Sequence, residues 1–315
     1  MRNCPPPYRP LRGAAPPHFV DRPDANDFDA GGVRAASLAA YMAGPQDPRF
    51  HRLVVSEPAM GKTALLRAIG QRAVLELDWA VAVHRCQAKE RLFGAVAAAA
   101  AASLQRQWPA ESGRLARRLV GPWARRARAM DRGPHPAGRD LVKAPLCLAP
   151  EADVSWAELR QTLFVGGRFA QSLSRGLLLV FDDADRLGGT EVESLGHLAR
   201  HLSQEGLPVA VLLSGGLHLA ERFYRLGNFS ATVWPTRLGA LEPAEACEAL
   251  AVPALDRRVD FEEEALELAC WGARGRPLQV QRLGFAAWST ATDGGPVTVS
   301  DVEEAMGLIG SKPAA

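Results

Sequence analysis

The run Ser56-Glu57-Pro58-Ala59-Met60-Gly61-Lys62-Thr63 combines residue types that suit one task, the binding of phosphate. It fits the spacing G-x-x-x-x-G-K-S/T, with serine at the first position. In that pattern, main-chain N–H groups of the loop and of the helix behind it wrap a phosphate group. Gly61 lets the chain approach closely, Lys62 brings a compact charge to the terminal phosphates, and the Thr63 hydroxyl is a ligand for Mg²⁺. Arginine is too broad and planar for the lysine position. The composition sharpens this point. Lys62, Lys89, Lys143 and Lys312 are the only lysines among 37 basic residues, the rest being arginine. All eight residues of the run are therefore candidate contacts for the phosphates of a nucleotide.

A second candidate is the apolar run Leu177-Leu178-Leu179-Val180-Phe181, which ends in Asp182-Asp183. Acids at the C-terminal edge of a buried parallel strand stand where ligands bind in open α/β sheets. Following a phosphate loop, Asp182 is the candidate Mg²⁺ ligand and Asp183 the candidate for polarising an attacking water. Aspartate is one methylene shorter than the glutamate common at the second position, so slow hydrolysis is expected. No Ser-His-Asp, Cys-His or metal-ligand spacing is apparent, and the seven histidines are scattered.

These residues need a scaffold of alternating strands and helices. A short helix is expected over 32–43, strands over 51–55, 79–83, 177–181, 208–213 and 232–234, and helices over 61–76 and through the alanine run 95–102. Ser155-x-x-Glu158, Thr190-x-x-Glu193 and Ser300-x-x-Glu303 read as capping boxes that open helices. Beyond about Leu241 the strands stop, and helices are expected at 243–251, 261–271, 277–290 and 301–309. The order predicts an α/β fold, a parallel sheet flanked by helices, followed by an all-helical lid. The expected division is an irregular segment 1–30, an α/β domain 31–240 and a lid 241–315. An Arg/Pro-rich insertion is expected at 108–152.

The chain has 315 residues, 47% hydrophobic and 23% charged, which suits a globular protein with a sizeable core. A net charge of +2 argues against attachment to nucleic acid or membrane by bulk charge. The exception is local. Arg114, Arg117, Arg118, Arg125, Arg126 and Arg128 form a basic stretch, interleaved with Leu115, Leu119, Val120 and Trp123 as in an amphipathic helix. No apolar run is long enough to span a bilayer and no signal peptide is evident, so a cytoplasmic protein is expected. Five separated cysteines with no C-x-x-C pair are expected to be reduced thiols, mostly packed in the core.

The order of motifs resembles the AAA+ superfamily of phosphate-loop ATPases, closest to its origin-recognition and STAND/NB-ARC branches. Pro16-Pro17-His18-Phe19-Val20-Asp21-Arg22 is similar to the P-P-x-h-V-G-R segment that packs on adenine, with Asp21 in place of glycine. Pro58 matches the third position of the loop G-P-P-G-T-G-K-T, and Asp182-Asp183 matches the double acid of STAND proteins. Ser214 falls where these families place a polar sensor of the terminal phosphate. Gly275-Arg276-Pro277-Leu278 resembles the G-x-P-L motif, whose proline touches the nucleotide from the lid. The resemblance covers about residues 16–310, apart from the insertion, and extends to ATP-binding proteins of actinobacteria. It implies ATP and Mg²⁺ as ligands, with Arg22 and Pro277 among the nucleotide contacts. Ring-forming relatives need an arginine finger. Arg222 and Arg225 are the near candidates, and a plain surface helix is the alternative reading for them.

Three uses of ATP are compatible with these residues. One is Mg²⁺-dependent hydrolysis coupled to lid movement on a protein partner, with oligomers allowed. A second is a STAND-like switch that turns over rarely. The third is a DNA-binding initiator, supported by the 114–128 stretch and opposed by the lack of room for a further DNA-binding domain after the lid.

Overall fold

The computed structural model describes residues 5–8, 19–22, 32–88, 92–111, 154–225, 232–291 and 295–310. The chain divides into two compact units. One is built from 24–55 and 69–237, the other from 1–23, 56–68 and 238–315.

The first unit contains a five-stranded sheet. Its strands are β1 (His51–Val55), β2 (Ala80–Arg85), β3 (Leu177–Asp182), β4 (Val209–Gly215) and β5 (Val233–Arg237), in the order β2-β3-β4-β1-β5. Every pairing is parallel. The inner strands β1, β3 and β4 are buried along their whole length, as near-continuous runs of Leu, Val and Phe require. Pro235 is tolerated because β5, among the described residues, is an edge strand paired with β1. The register matters for chemistry. Arg85 lies beside Asp182, and Ser214 beside Val54, so the C-terminal ends of β2, β3, β4 and β1 are level.

Helices α1 (Val33–Ala43), α3 (Leu92–Gln107), α4 (Trp156–Ser172), α5 (Gly189–Gln204) and α6 (Leu217–Arg225) accompany this sheet, and α2 (Lys62–Leu77) runs from one unit into the other. The alanine run is not only a helix former, since Ala97, Ala99 and Ala100 are buried in the core. The box Ser155–Glu158 forms in both directions, with Ser155 N–H donating to the glutamate at 2.8 Å. Two inner polar residues tie β1 to its surroundings. The Arg52 guanidinium donates to the Val33 carbonyl (3.3 Å) and to Ser37 Oγ (3.1 Å). His51 Nδ1 accepts the Val211 N–H at 3.0 Å, and its Nε2 lies 2.8 Å from Ser203 Oγ.

Among the described residues, the second unit holds helices α7 (Pro243–Leu255), α8 (Glu263–Ala273), α9 (Pro277–Thr290) and α10 (Val299–Gly310). Their core includes Leu250, Ala269, Trp288 and Val302, joined by Tyr8 from the N-terminal segment. The Tyr8 hydroxyl donates to the Leu250 carbonyl at 2.6 Å, and its ring meets Trp288 edge-on.

Four expectations need correction. The Thr190–Glu193 box does not form, because α5 starts at Gly189 with Gly188 as its cap and Thr190 already lies inside the helix. At α10 the box is Thr298 with Asp301, two residues earlier than expected. Thr298 N–H donates to the aspartate at 2.8 Å, and Ser300 sits within the helix. The insertion does not begin at 108. Trp108 is buried edge-on to Phe169, and Glu111 pairs with Arg175, so these residues belong to the packed sheet unit. Finally, not all cysteines are reduced thiols. Cys247 of α7 and Cys270 of α8 are joined as a disulfide, whereas Cys86 is a buried free thiol. The remaining insertion residues, including Arg114 to Arg128, lie outside the described residues, as do Pro16, Pro17 and His18.

Candidate nucleotide site

The loop Ser56–Gly61 leaves the end of β1 and turns into α2 at Lys62. Two of its residues, Ala59 (φ 68°) and Gly61 (φ 82°), have left-handed backbones at alternate positions. Such alternation gathers peptide N–H groups on one concave side, which favours an anion. Lys62 Nζ donates to the Ser56 carbonyl (3.2 Å), the Ser56 hydroxyl (3.1 Å) and the Glu57 carbonyl (3.1 Å). The ammonium is thus held by the loop's own oxygens. Ser56, standing where glycine is usual, is buried and donates its hydroxyl to the Glu57 carbonyl at 2.8 Å. It supplies a side-chain oxygen that glycine lacks.

Gly61 is closely flanked. A Cβ at that position would meet Arg22 Nη2 at 3.2 Å and the Pro277 ring at 3.6–3.7 Å. The two residues that the sequence nominated at distant positions therefore both border the phosphate loop. Arg22 is 4% exposed, and its Nη1 donates to the Gly239 carbonyl at 2.9 Å. Burial pushes its guanidinium down to about 10, against the pull of Glu245 and Asp21. Its Nε is buried with no hydrogen-bond partner. A buried cation with an unused donor next to a phosphate-type loop fits an anionic ligand.

Pro277 is placed by a tight turn. Arg274 and Gly275 are both left-handed, and the Gly275 carbonyl accepts the Leu241 N–H at 2.7 Å. A side chain at Gly275 would collide with the Leu241 carbonyl, so this position requires glycine. The same turn presents Arg276, whose Nη2 lies 4.0 Å from Glu57 Oε2 in the loop.

In the sheet unit, Asp182 is buried and accepts a 2.7 Å hydrogen bond from Ser214 Oγ. Ser214 Oγ also accepts the Asp183 N–H at 3.3 Å. The residue nominated as a phosphate sensor is thus fully buried and bound to both acids. Asp183 has a left-handed backbone (φ 58°), which turns its side chain away from the strand's alternation. Its Oδ2 accepts from Arg85 Nε and Nη2, each at 3.3 Å, and lies 3.7 Å from Arg186 Nε. Sequence reading missed both arginines. Arg85 is visible only through register, since it ends β2 beside Asp182. Among the finger candidates, Arg222 donates to the Leu187 carbonyl at 3.1 Å, and exposed Arg225 pairs with Glu221 one turn away. Among the described residues, no helix is long and apolar enough to cross a membrane.

The AAA ATPase domain profile matches residues 35–212, from α1 to β4, which takes in the phosphate loop and the acid pair. Solved structures agree on the fold. A Walker-type ATPase of Pyrococcus abyssi is similar with a TM-score of 0.53 at 14% identity, covering 93% of this chain and 76% of that one. The RuvB Holliday junction branch migration motor of Thermotoga maritima reaches 0.50 at 16% identity, covering 95% and 73%. The ORC1 protein of Aeropyrum pernix, solved in complex with DNA, reaches 0.51 at 15% identity, covering 93% and 68%. No curated protein matches the chain. With more than half its length matched by the profile, a match that takes in the loop and the acid pair, the chain belongs to the AAA ATPase family.

Proposed function

We propose that the chain binds ATP with Mg²⁺ on the Ser56–Thr63 loop and hydrolyses it slowly, using the cycle to move its C-terminal helices on a protein partner. The observation that carries this reading is the loop itself, with left-handed Ala59 and Gly61 and Lys62 held by its main chain. Main-chain N–H groups of residues 56–62 bind the phosphates, and the lysine ammonium exchanges carbonyl oxygens for phosphate oxygens. Arg22 and Pro277, which border Gly61, complete the nucleotide contacts.

Thr63 and Asp182 would hold Mg²⁺, whose charge supplies neutralisation of the phosphate oxygens. Ser214 fixes the Asp182 carboxylate for that role. Asp183 polarises the attacking water, but at rest its carboxylate is shared with Arg85 and Arg186. Withdrawal of the acid favours the second reading, a switch that binds tightly and turns over rarely. In either case the coupling element is the turn 274–277, which belongs to the same unit as the loop.

The test is steady-state ATP hydrolysis with and without Mg²⁺, together with assembly size in ATP and in ADP. Turnover that requires Mg²⁺ and falls well below the ~1 s⁻¹ at the low end for common enzymes is expected. Rings with fast turnover would favour a motor over the switch. Absence of both turnover and nucleotide retention would remove either reading.

A further inference from the structure

The helical unit carries a feature that the nucleotide chemistry does not use. Cys247 lies near the start of α7 and Cys270 near the end of α8, joined with a Cα–Cα distance of 5.6 Å across 23 positions of sequence. That separation is in the usual range for a bonded pair. Their place in the fold gives the pair a task. The chain entering α7 and the chain leaving α8 run side by side, stitched by the Leu241 N–H to the Gly275 carbonyl. Cys247 and Cys270 join the same two ends about one helical turn further along.

The stitched segment is the turn that meets the phosphate loop. Arg276 N–H donates to the Ala273 carbonyl at 2.9 Å, which fixes the turn on the end of α8. From there Arg276 reaches Glu57, and Pro277 reaches Gly61. The ion pair is exposed on both sides, so it holds little by itself. A covalent link between α7 and α8 removes freedom from the element that presents both contacts.

We infer that Cys247 and Cys270 form a reversible dithiol–disulfide couple that clamps the turn 274–277, so that nucleotide retention follows the thiol redox state. This rests on the nucleotide reading of the loop given above. The oxidant is a low-molecular-weight disulfide. Cys247, the more accessible of the two, loses its proton, and its thiolate attacks one sulfur of the oxidant, releasing one small thiol. The Cys270 thiolate then attacks Cys247 Sγ in the mixed disulfide and releases the second small thiol. Two protein thiols become one disulfide, and the two electrons leave on the oxidant, which departs as two thiols. Reduction by a small dithiol reverses the sequence.

The experiment uses the full chain in dithiothreitol and in oxidised glutathione, with the link located by peptide mapping and release of a fluorescent ADP analogue followed by stopped flow. The oxidised form is expected to show a Cys247–Cys270 link, an unfolding midpoint higher by about 5–10 °C, and analogue release slower by about fivefold or more. Cys247→Ser and Cys247→Ala should release at the reduced rate in both conditions. The reduced parent protein serves as the folded reference without any substitution. Failure of the link to form, or a link with release unchanged within about twofold, overturns the inference and leaves the nucleotide reading standing. If neither form retains the analogue, both fall, and that result is distinct from unchanged release.

Discussion

The phosphate loop and the acid strand end hold their key groups in different ways. In the loop, Lys62 is held by two main-chain carbonyls and one hydroxyl, and the concave shape comes from left-handed backbone at Ala59 and Gly61. At the end of β3, side chains hold side chains. Ser214 bonds Asp182, and Arg85 and Arg186 share Asp183. A site built from main chain tolerates exchange of most of its side chains, and Glu57, Pro58 and Ala59 are all exposed. A site built from a side-chain network changes when any member changes. The loop is therefore expected to lose binding at Gly61 and Lys62 and little elsewhere, and the strand end to lose or gain turnover according to which member of its network is changed.

The largest effect should follow from loss of the lysine. Lys62→Ala is expected to weaken ATP and ADP binding by about 100-fold or more, and Lys62→Arg should rescue little of it. Equilibrium binding of a fluorescent nucleotide reads both. Glu57→Ala, in the same loop, should change affinity by less than about threefold, because its carboxylate meets the exposed Arg276 in a weak, solvent-screened pair.

At the strand end, Asp183→Asn is expected to abolish turnover and leave ATP binding intact. Ser214→Ala should lower turnover by about tenfold, since it removes one hydrogen bond from a buried carboxylate. Arg85→Ala should act in the opposite direction and raise turnover by about threefold, because the Asp183 carboxylate loses an exposed ionic partner. Steady-state rates at saturating Mg²⁺-ATP separate these outcomes. A tenfold loss in Arg85→Ala would mean that the arginine supports catalysis rather than restraining the acid.

The last expected effect bears on stability and not on the nucleotide, a pH dependence seated in the sheet rather than the loop. Burial pushes the His51 imidazole down to about 3, so it is neutral in the folded chain. Once unfolded it regains an ordinary value near 6.5 and binds a proton below that pH. The unfolded state then holds the extra proton, so stability falls as pH drops from about 6.5 towards 3, by about 1.4 kcal/mol per pH unit at most. Denaturant unfolding at pH 7 and pH 5 measures it, and His51→Gln should flatten the difference.

The contrast between the two regions also explains what could be read from sequence. The loop is eight consecutive residues, and its function lies in local backbone preference, so Gly61, Lys62 and Thr63 were legible as a string. The parallel sheet was legible because fully buried strands leave apolar runs such as Leu177–Phe181. Arg85 was not legible, because it meets Asp183 only through the β2–β3 register, and no local pattern announces that pairing. Tyr8 lies in a Pro-rich segment that carries no local sign of packing, yet it is anchored in the helical core by the Leu250 carbonyl. The cysteine pair was missed for the same reason, since 23 residues and a helix reversal separate its members. The Thr298 cap was misplaced by two residues because Thr298–Asp301 and Ser300–Glu303 are both competent boxes. The bridge from Val297 to Phe261 marks the helix start nearer the first of these.

Calorimetric titration of the full chain with ADP in the presence of Mg²⁺, alongside Lys62→Ala, tests the central claim most directly. Saturable one-to-one binding that the substitution weakens by about 100-fold or more is the expected result. Equal affinity in the two proteins, or no saturable binding in either at millimolar ADP, would contradict a nucleotide site on this loop.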